Sequence, residues 1–234
     1  GIGLLVGAFV LWIVISLHDG SWHNARLSLR SDALLFAAAL QMIGVVLFVP
    51  VNAARAIVTE REAKTFEMLS ITPMTSSTMI VQKGAFVVIQ IAVLILGATA
   101  GLAIVYAVLG DILMLLAVAP VQLMVLLAAV LYCEIGLLFS CVSSNASTGI
   151  TLAFAVILFV LPAIGCGMWT GHLLYFDLSP WGLIEPLTIL LDPHQASHED
   201  YLGTVITTTA LPVAIVGLYY LCVLALEKRR RSSR

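Results

Sequence analysis

Six apolar stretches, approximately residues 2–17, 33–53, 80–109, 112–142, 147–168 and 204–226, leave this chain few ways to fold. A run of about 18 to 25 apolar residues crosses a hydrocarbon core of about 30 Å as a helix, and in lipid only helices and closed barrels satisfy their own backbone. The expectation is an all-α integral membrane protein with six transmembrane helices in a single transmembrane domain, residues 1–234. Composition agrees, since 10% of the residues are charged and 61% are hydrophobic, against roughly 25% charged in an average soluble domain. The third and fourth stretches are long enough to tilt or protrude, and the first is short. The chain starts without a methionine, so a cytoplasmic lead-in is expected before it. A cleaved signal peptide is a poor account of residues 2–17, which lack a basic flank and precede five further spans.

The net charge of -2 decides nothing, but the placement of Lys and Arg does. Six spans put both termini on one side, and the tail carries Lys228, Arg229, Arg230, Arg231 and Arg234. Positive residues stay in the cytoplasm. The same side receives Arg55, Arg61, Lys64 and Lys83 between spans two and three, and the SSNAS turn between spans four and five. The opposite side receives Arg26 and Arg30. Residues 169–203 on that side have no Lys or Arg, yet hold Asp177, Glu185, Asp192, Glu199 and Asp200.

Residues 58–75, VTEREAKTFEMLSITPMT, interrupt the apolar pattern. Glu60, Arg61, Glu62, Lys64 and Glu67 cannot lie at bilayer depth, where insertion costs on the order of 2.5 to 3.5 kcal/mol for each Asp, Lys or Arg. The segment therefore leaves the membrane. On a helical period Glu60, Arg61, Lys64 and Glu67 form one stripe, while Ala63, Phe66 and Leu69 form another, so an amphipathic helix over residues 56–72 is expected. Glu60 and Lys64 make an i,i+4 pair worth about 0.2 to 0.5 kcal/mol, too little to hold it alone. Packing of Phe66 and Leu69 must carry the rest. Pro73 biases Thr72 away from helical angles, and the TSST run lets the chain turn into span three. This pattern alone fits either a solvated helix joining two spans or a docking element.

The order of features is more specific. A span ending in Asn52 and Arg55 is followed by E-R-E-x-K-T-x-E-x-L-x-x-T-P, a short polar run, and Lys83 at the mouth of the next span. This resembles the permease subunits of ABC-2 type transporters. Their signature has an acidic-basic pair, a Thr-x-Glu-x-Leu core and a Thr-Pro stop between the second and third helices, matched here by Glu60, Arg61, Thr65, Glu67, Leu69, Thr72 and Pro73. Family members commonly have Gly before that threonine, whereas this chain has Lys64, which leaves the helix less bent. Residues 136–154 look like the family's hairpin of spans four and five, and LSPWGLI, residues 178–184, resembles its Ser-Pro element before the last span.

The resemblance implies an ABC-2, type V exporter-like fold, with a cytoplasmic coupling helix and outer re-entrant helices over residues 169–203. It implies a homodimer, or a heterodimer with a similar permease, in a bacterial cytoplasmic membrane. Two ABC ATPase subunits would receive the coupling helix through Glu60, Arg61, Glu62, Lys64, Thr65, Glu67, Leu69 and Pro73. ATP and Mg would be bound by those subunits and no cofactor by this chain. The residues agree, because no G-x-x-x-x-G-K-[ST] phosphate cradle occurs and ATP must be hydrolysed on another chain. No nucleic-acid partner is expected, and export is the family's direction.

Inside the spans, Glu134 is costly and faces either the bundle interior or a wet cavity. It is a functional carboxylate or a neutral acid hydrogen-bonded to a neighbouring helix. Gln41 and Asn52 in span two, Gln90 in span three and Gln122 in span four are expected to glue helices together; Gln41, Asn52 and Glu134 are also candidates for a substrate path. Gly44, Gly97, Gly101, Gly149 and Gly165 are expected to allow close helix approach, and Pro50, Pro120, Pro162 and Pro212 to kink or end their spans. Cys133, Cys141, Cys166 and Cys222 lack CxxC spacing and read as packing residues. His194 and His198 are four apart, but Gln195 stands where a zinc protease would carry its general base, so solvated polar residues are expected there. An integral membrane enzyme, or a passive channel or scaffold, are the alternatives to the permease. The first lacks any convergent catalytic constellation, and the second leaves the charged helix unexplained.

Overall fold

The computed structural model describes residues 24–62, 75–109, 112–161 and 198–232. Five helices account for nearly all of them: α1 (Asn24–Glu62), α2 (Ser76–Leu109), α3 (Ile112–Val142), α4 (Ala146–Ala155) and α5 (His198–Ser232). α4 runs on into a π-helical turn, Val156–Val160. No strand occurs among the described residues. α1, α2, α3 and α5 are long and apolar enough to cross a membrane, over Ala37–Glu60, Ser77–Ile104, Leu115–Val142 and Leu211–Lys228, while Ala146–Val160 is a shorter apolar helix. The chain is thus an all-helical, multi-pass membrane-type protein. Four of the six expected spans coincide with these helices and the fifth with α4; residues 2–17, 63–74 and 162–197 lie outside the described residues.

Several helix boundaries extend well beyond what the apolar pattern marks out, the first being the start of α1 at Asn24, nine residues ahead of the expected span. α1 does not stop near Asn52 but continues through Glu62, because residues 54–62 contain no Gly or Pro and are rich in Ala, Arg and Glu, which favour helix. α5 starts at His198, so residues 198–203 belong to the final helix; Glu199 and Asp200 at its start suit the positive end of the helix dipole.

α3 is the central helix and packs against all four others, with α1 as its most extensive partner. The two run parallel, since Gly136 meets Ala53 and Ser140 meets Ile57 and Val58. A Cβ added at Gly136 would lie 2.6 Å from the Ala53 Cβ, 3.0 Å from the Pro50 carbonyl oxygen and 3.2 Å from the Ala54 nitrogen. The backbones therefore touch, as small residues permit in membrane helices. One turn later the buried Ser140 hydroxyl accepts hydrogen bonds from the amides of Ile57 at 3.0 Å and Val58 at 3.1 Å. Gly149 is also in close contact, because a Cβ there would lie 2.7 Å from the Ser143 Oγ in the α3–α4 turn, although its nearest backbone neighbour is 3.5 Å away. The other expected close approaches differ: Gly44, Gly97 and Gly101 have nothing within 4 Å, so they face open space, and Gly165 lies outside the described residues.

Two apolar clusters fill the interior. The larger spans Met42 to Ile57 on α1, Met79 to Ile95 on α2, Val125 to Cys141 on α3, and parts of α4 and α5. The smaller holds Leu34, Ala37 and Ala38 of α1, Leu102 and Tyr106 of α2, and Val118 and Val121 of α3. Phe86, Ile89, Val93 and Leu96 of α2 are exposed, which suits a surface bathed in lipid. Pro50, Pro120 and Pro212 lie inside helices, while Pro162 is outside the described residues. Cys133, Cys141 and Cys222 are buried thiols that form no disulfide.

Candidate functional site

The charged end of α1 is tied to three neighbouring helices. Glu60 forms an ion pair with Lys83 of α2, both side chains being partly buried. Lys64, expected from the sequence to pair with Glu60, lies outside the described residues; among them the Glu60 side chain reaches across to α2. Two residues on, the Glu62 carboxylate accepts a hydrogen bond of 3.0 Å from the backbone amide of Ala146. Ala146 opens α4, and Asn145 at its N-cap makes no side-chain capping bond, so a carboxylate from α1 satisfies an amide that would otherwise lack a helical acceptor. Ser140 of α3 supplies the third tie, to Ile57 and Val58.

The surrounding hydroxyls close local ends. Thr59 Oγ1 donates to the Arg55 carbonyl at 2.8 Å, and Thr75 Oγ1 accepts from the Thr78 amide at 3.2 Å, which caps α2. Ser77 is hydrogen-bonded to Tyr219, joining the start of α2 to α5. Ser143 Oγ donates to the Phe139 carbonyl at 2.6 Å where α3 ends. Arg61 lies in α1, and nothing further is described of its side chain; Lys64, Thr65, Glu67, Leu69 and Pro73 lie outside the described residues, with most of the expected helix over 56–72.

The intramembrane candidates separate. Asn52 and Gln90 are exposed and do not join described helices. Glu134 is half-buried on α3 and faces α5, where the Cys222 thiol lies 3.5 Å from its carbonyl oxygen and 3.8 Å from its carboxylate Oε2. That contact fits a carboxyl group held against a neighbouring helix. No cluster of three or more His, Cys, Asp or Glu able to hold a metal occurs among the described residues; His194 lies outside them, and His198 begins α5.

Gln41 and Gln122 are different. Both amide atoms of each are buried without a hydrogen-bond partner among the described residues, and Gln122 is 6% exposed overall. A buried amide left unpaired costs about 1 to 3 kcal/mol. The two residues sit where one apolar cluster gives way to the other, between Ala38 and Met42 on α1 and between Val121 and Val125 on α3. Thr99 of α2 occupies the same border, but its hydroxyl is bonded to its own helix at the Ile95 carbonyl, 2.7 Å away.

The α1–α3 seam was missed from sequence. Its signal was present in Gly136 and Ser140, four residues apart on a helix, the small-x-x-x-small spacing that lets membrane helices meet. Comparison with protein-family models gives no match, and comparison with curated proteins gives none.

Proposed function

We propose that this chain is the permease subunit of an ABC-2 type transporter, moving its cargo across the membrane with energy from ATP hydrolysed on separate ABC ATPase subunits. The observation that supports it most is the anchorage of the charged segment. α1 carries that segment out of the apolar zone without a break, and its last two turns are pinned to α2 by Glu60–Lys83, to α3 by Ser140 and to α4 by Glu62. A partner that pulls on such an end displaces several spans together, because packed helices move as rigid bodies.

In this arrangement Arg61, Lys64, Thr65, Glu67, Leu69 and Pro73 form the face and stop of the coupling helix. Glu60 and Glu62 bind it to the bundle as well as bordering the partner. The permease works as a homodimer or with a similar permease in a cell membrane, with both termini cytoplasmic and residues 169–197 on the outer side. ATP and Mg are held by the partner, and the chain carries no catalysis of its own. Gln41 and Glu134 border the cargo path, and the exposed Asn52 lies on the face open to lipid or to the second permease.

Co-purification tests this. The tagged permease, expressed with the ATPase subunits of its own cell, should retain an ATP-hydrolysing partner, and Glu67→Arg should lower that association or its coupling to transport while the permease still folds. A purified permease that transports with no ATPase, or a charged segment labelled by impermeant reagents from outside intact cells, would overturn it.

A further inference from the structure

We infer that Gln41 and Gln122 form a subsite between α1 and α3 for a neutral group that both donates and accepts hydrogen bonds, a hydroxyl or carboxamide carried on an apolar tail. The two helices are pinned in parallel where Ser140 meets Ile57. From that contact Gln41 lies about 24 Å back along α1 and Gln122 about 27 Å back along α3, so they share one level of the bundle. Each carboxamide offers two N–H donors and one carbonyl acceptor, and all four polar atoms are enclosed with nothing to bond among the described residues.

The surroundings define the ligand. The level is bounded by apolar clusters on both sides, and the nearest charged positions on these helices, Asp32 of α1 and Glu134 of α3, lie about 14 and 18 Å away along the axes. An ionic head group would therefore find no counter-charge, while a neutral donor–acceptor would find two matched partners. Leu123, next in the chain after Gln122, is 56% exposed, so an apolar tail can lie against the lipid face beside that residue. Parting of α1 and α3 at this level opens the site, and the ligand compensates the opening by bonding amides that the closed seam leaves unsatisfied. The subsite deepens the transport function by naming the polar end of its cargo, and its chemistry can be tested without ATPase or transport.

The probes are oleyl alcohol, oleamide, oleate and oleylamine, which share one chain and differ in head group, added to the full-length protein in nanodiscs and read by its thermal unfolding midpoint. Oleyl alcohol and oleamide should raise the midpoint of the wild type, and their relative effects distinguish a hydroxyl from a carboxamide ligand. Oleate and oleylamine should not. The double variant Gln41→Leu/Gln122→Leu should be at least as stable as wild type without probe, because it removes unpaired polar atoms, and should lose the response to both neutral probes. A double variant less stable than wild type, with Gln122→Leu alone behaving likewise, would show that the amides are already bonded and overturn the inference. So would a wild type that neither neutral probe stabilises, a shift that survives in the double variant, or an equal shift from oleate or oleylamine.

Discussion

Replacing Gly136 by Ala tests the seam on which the bundle is built. The new methyl carbon would lie 2.6 Å from the Ala53 Cβ, whereas carbon atoms in contact ordinarily sit about 3.5 to 4.0 Å apart, so the helices must separate by about 1 Å. The other two neighbours are the Pro50 carbonyl oxygen and the Ala54 nitrogen, backbone atoms that cannot swing aside as a side chain would. Separation by that amount would stretch the Ser140 bonds to Ile57 and Val58, now 3.0 and 3.1 Å, beyond useful range. Overpacking costs about 1 to 3 kcal/mol and each lost bond about 0.5 to 1.5; because the effects share one contact they do not simply add, and a loss of about 2 to 5 kcal/mol is expected. Gly97→Ala is the control, since nothing lies within 4 Å of it and helix propensity alone should stabilise it by roughly 0.5 to 1 kcal/mol. Detergent-solubilised proteins unfolded in increasing SDS and followed by circular dichroism give both values. Gly136→Ala with the same midpoint as Gly97→Ala would refute the backbone contact, and Ala53→Gly should restore part of the loss if the clash is the cause.

Three further outcomes are expected. Reversing Glu60 to Lys or Lys83 to Glu should each lower the unfolding midpoint, by about 0.5 to 1 kcal/mol in the half-exposed setting, and the double reversal should recover most of it; independent, additive losses would refute a direct pair. Glu62→Ala should speed amide hydrogen exchange at Ala146 through loss of a bond worth about 1 kcal/mol, whereas Glu62→Gln, which keeps an acceptor oxygen, should retain much of the protection. Ser140→Ala should destabilise by about 0.5 to 1.5 kcal/mol in the same SDS assay, because it removes the hydroxyl that two buried α1 amides reach across the seam.

Much of the scaffold was legible in the sequence because apolar length in lipid allows few solutions. Four expected spans and the start of a fifth coincide with helices, and their limits are furthest off at Asn24 and Glu62, where no Gly or Pro separates the apolar run from its helical extension. Partnerships were harder to read. Lys64, the expected mate of Glu60, lies outside the described residues, but no sequence pattern marks the lysine more than twenty positions later that the Glu60 carboxylate reaches, a contact made by the packing of α1 on α2. Glycines were legible as small but not as touching, since a one-dimensional pattern does not say which face meets another helix: Gly97 and Gly101 face open space while Gly136 is locked. Gln41 and Gln122 were expected to glue helices together, yet neither amide has a hydrogen-bond partner among the described residues, because whether an amide is met depends on atoms from other helices.

The Ser140 contact also constrains how the protein is made. Ile57 and Val58 donate to a residue 83 and 82 positions downstream, and at about 5 to 20 residues per second a ribosome needs roughly 4 to 17 s to reach it. Until then α1 and α2 wait in the bilayer as a provisional hairpin, its groove vacant. Membrane insertion therefore precedes assembly, and the arrival of α3 is the event that turns separate inserted rods into one folded body.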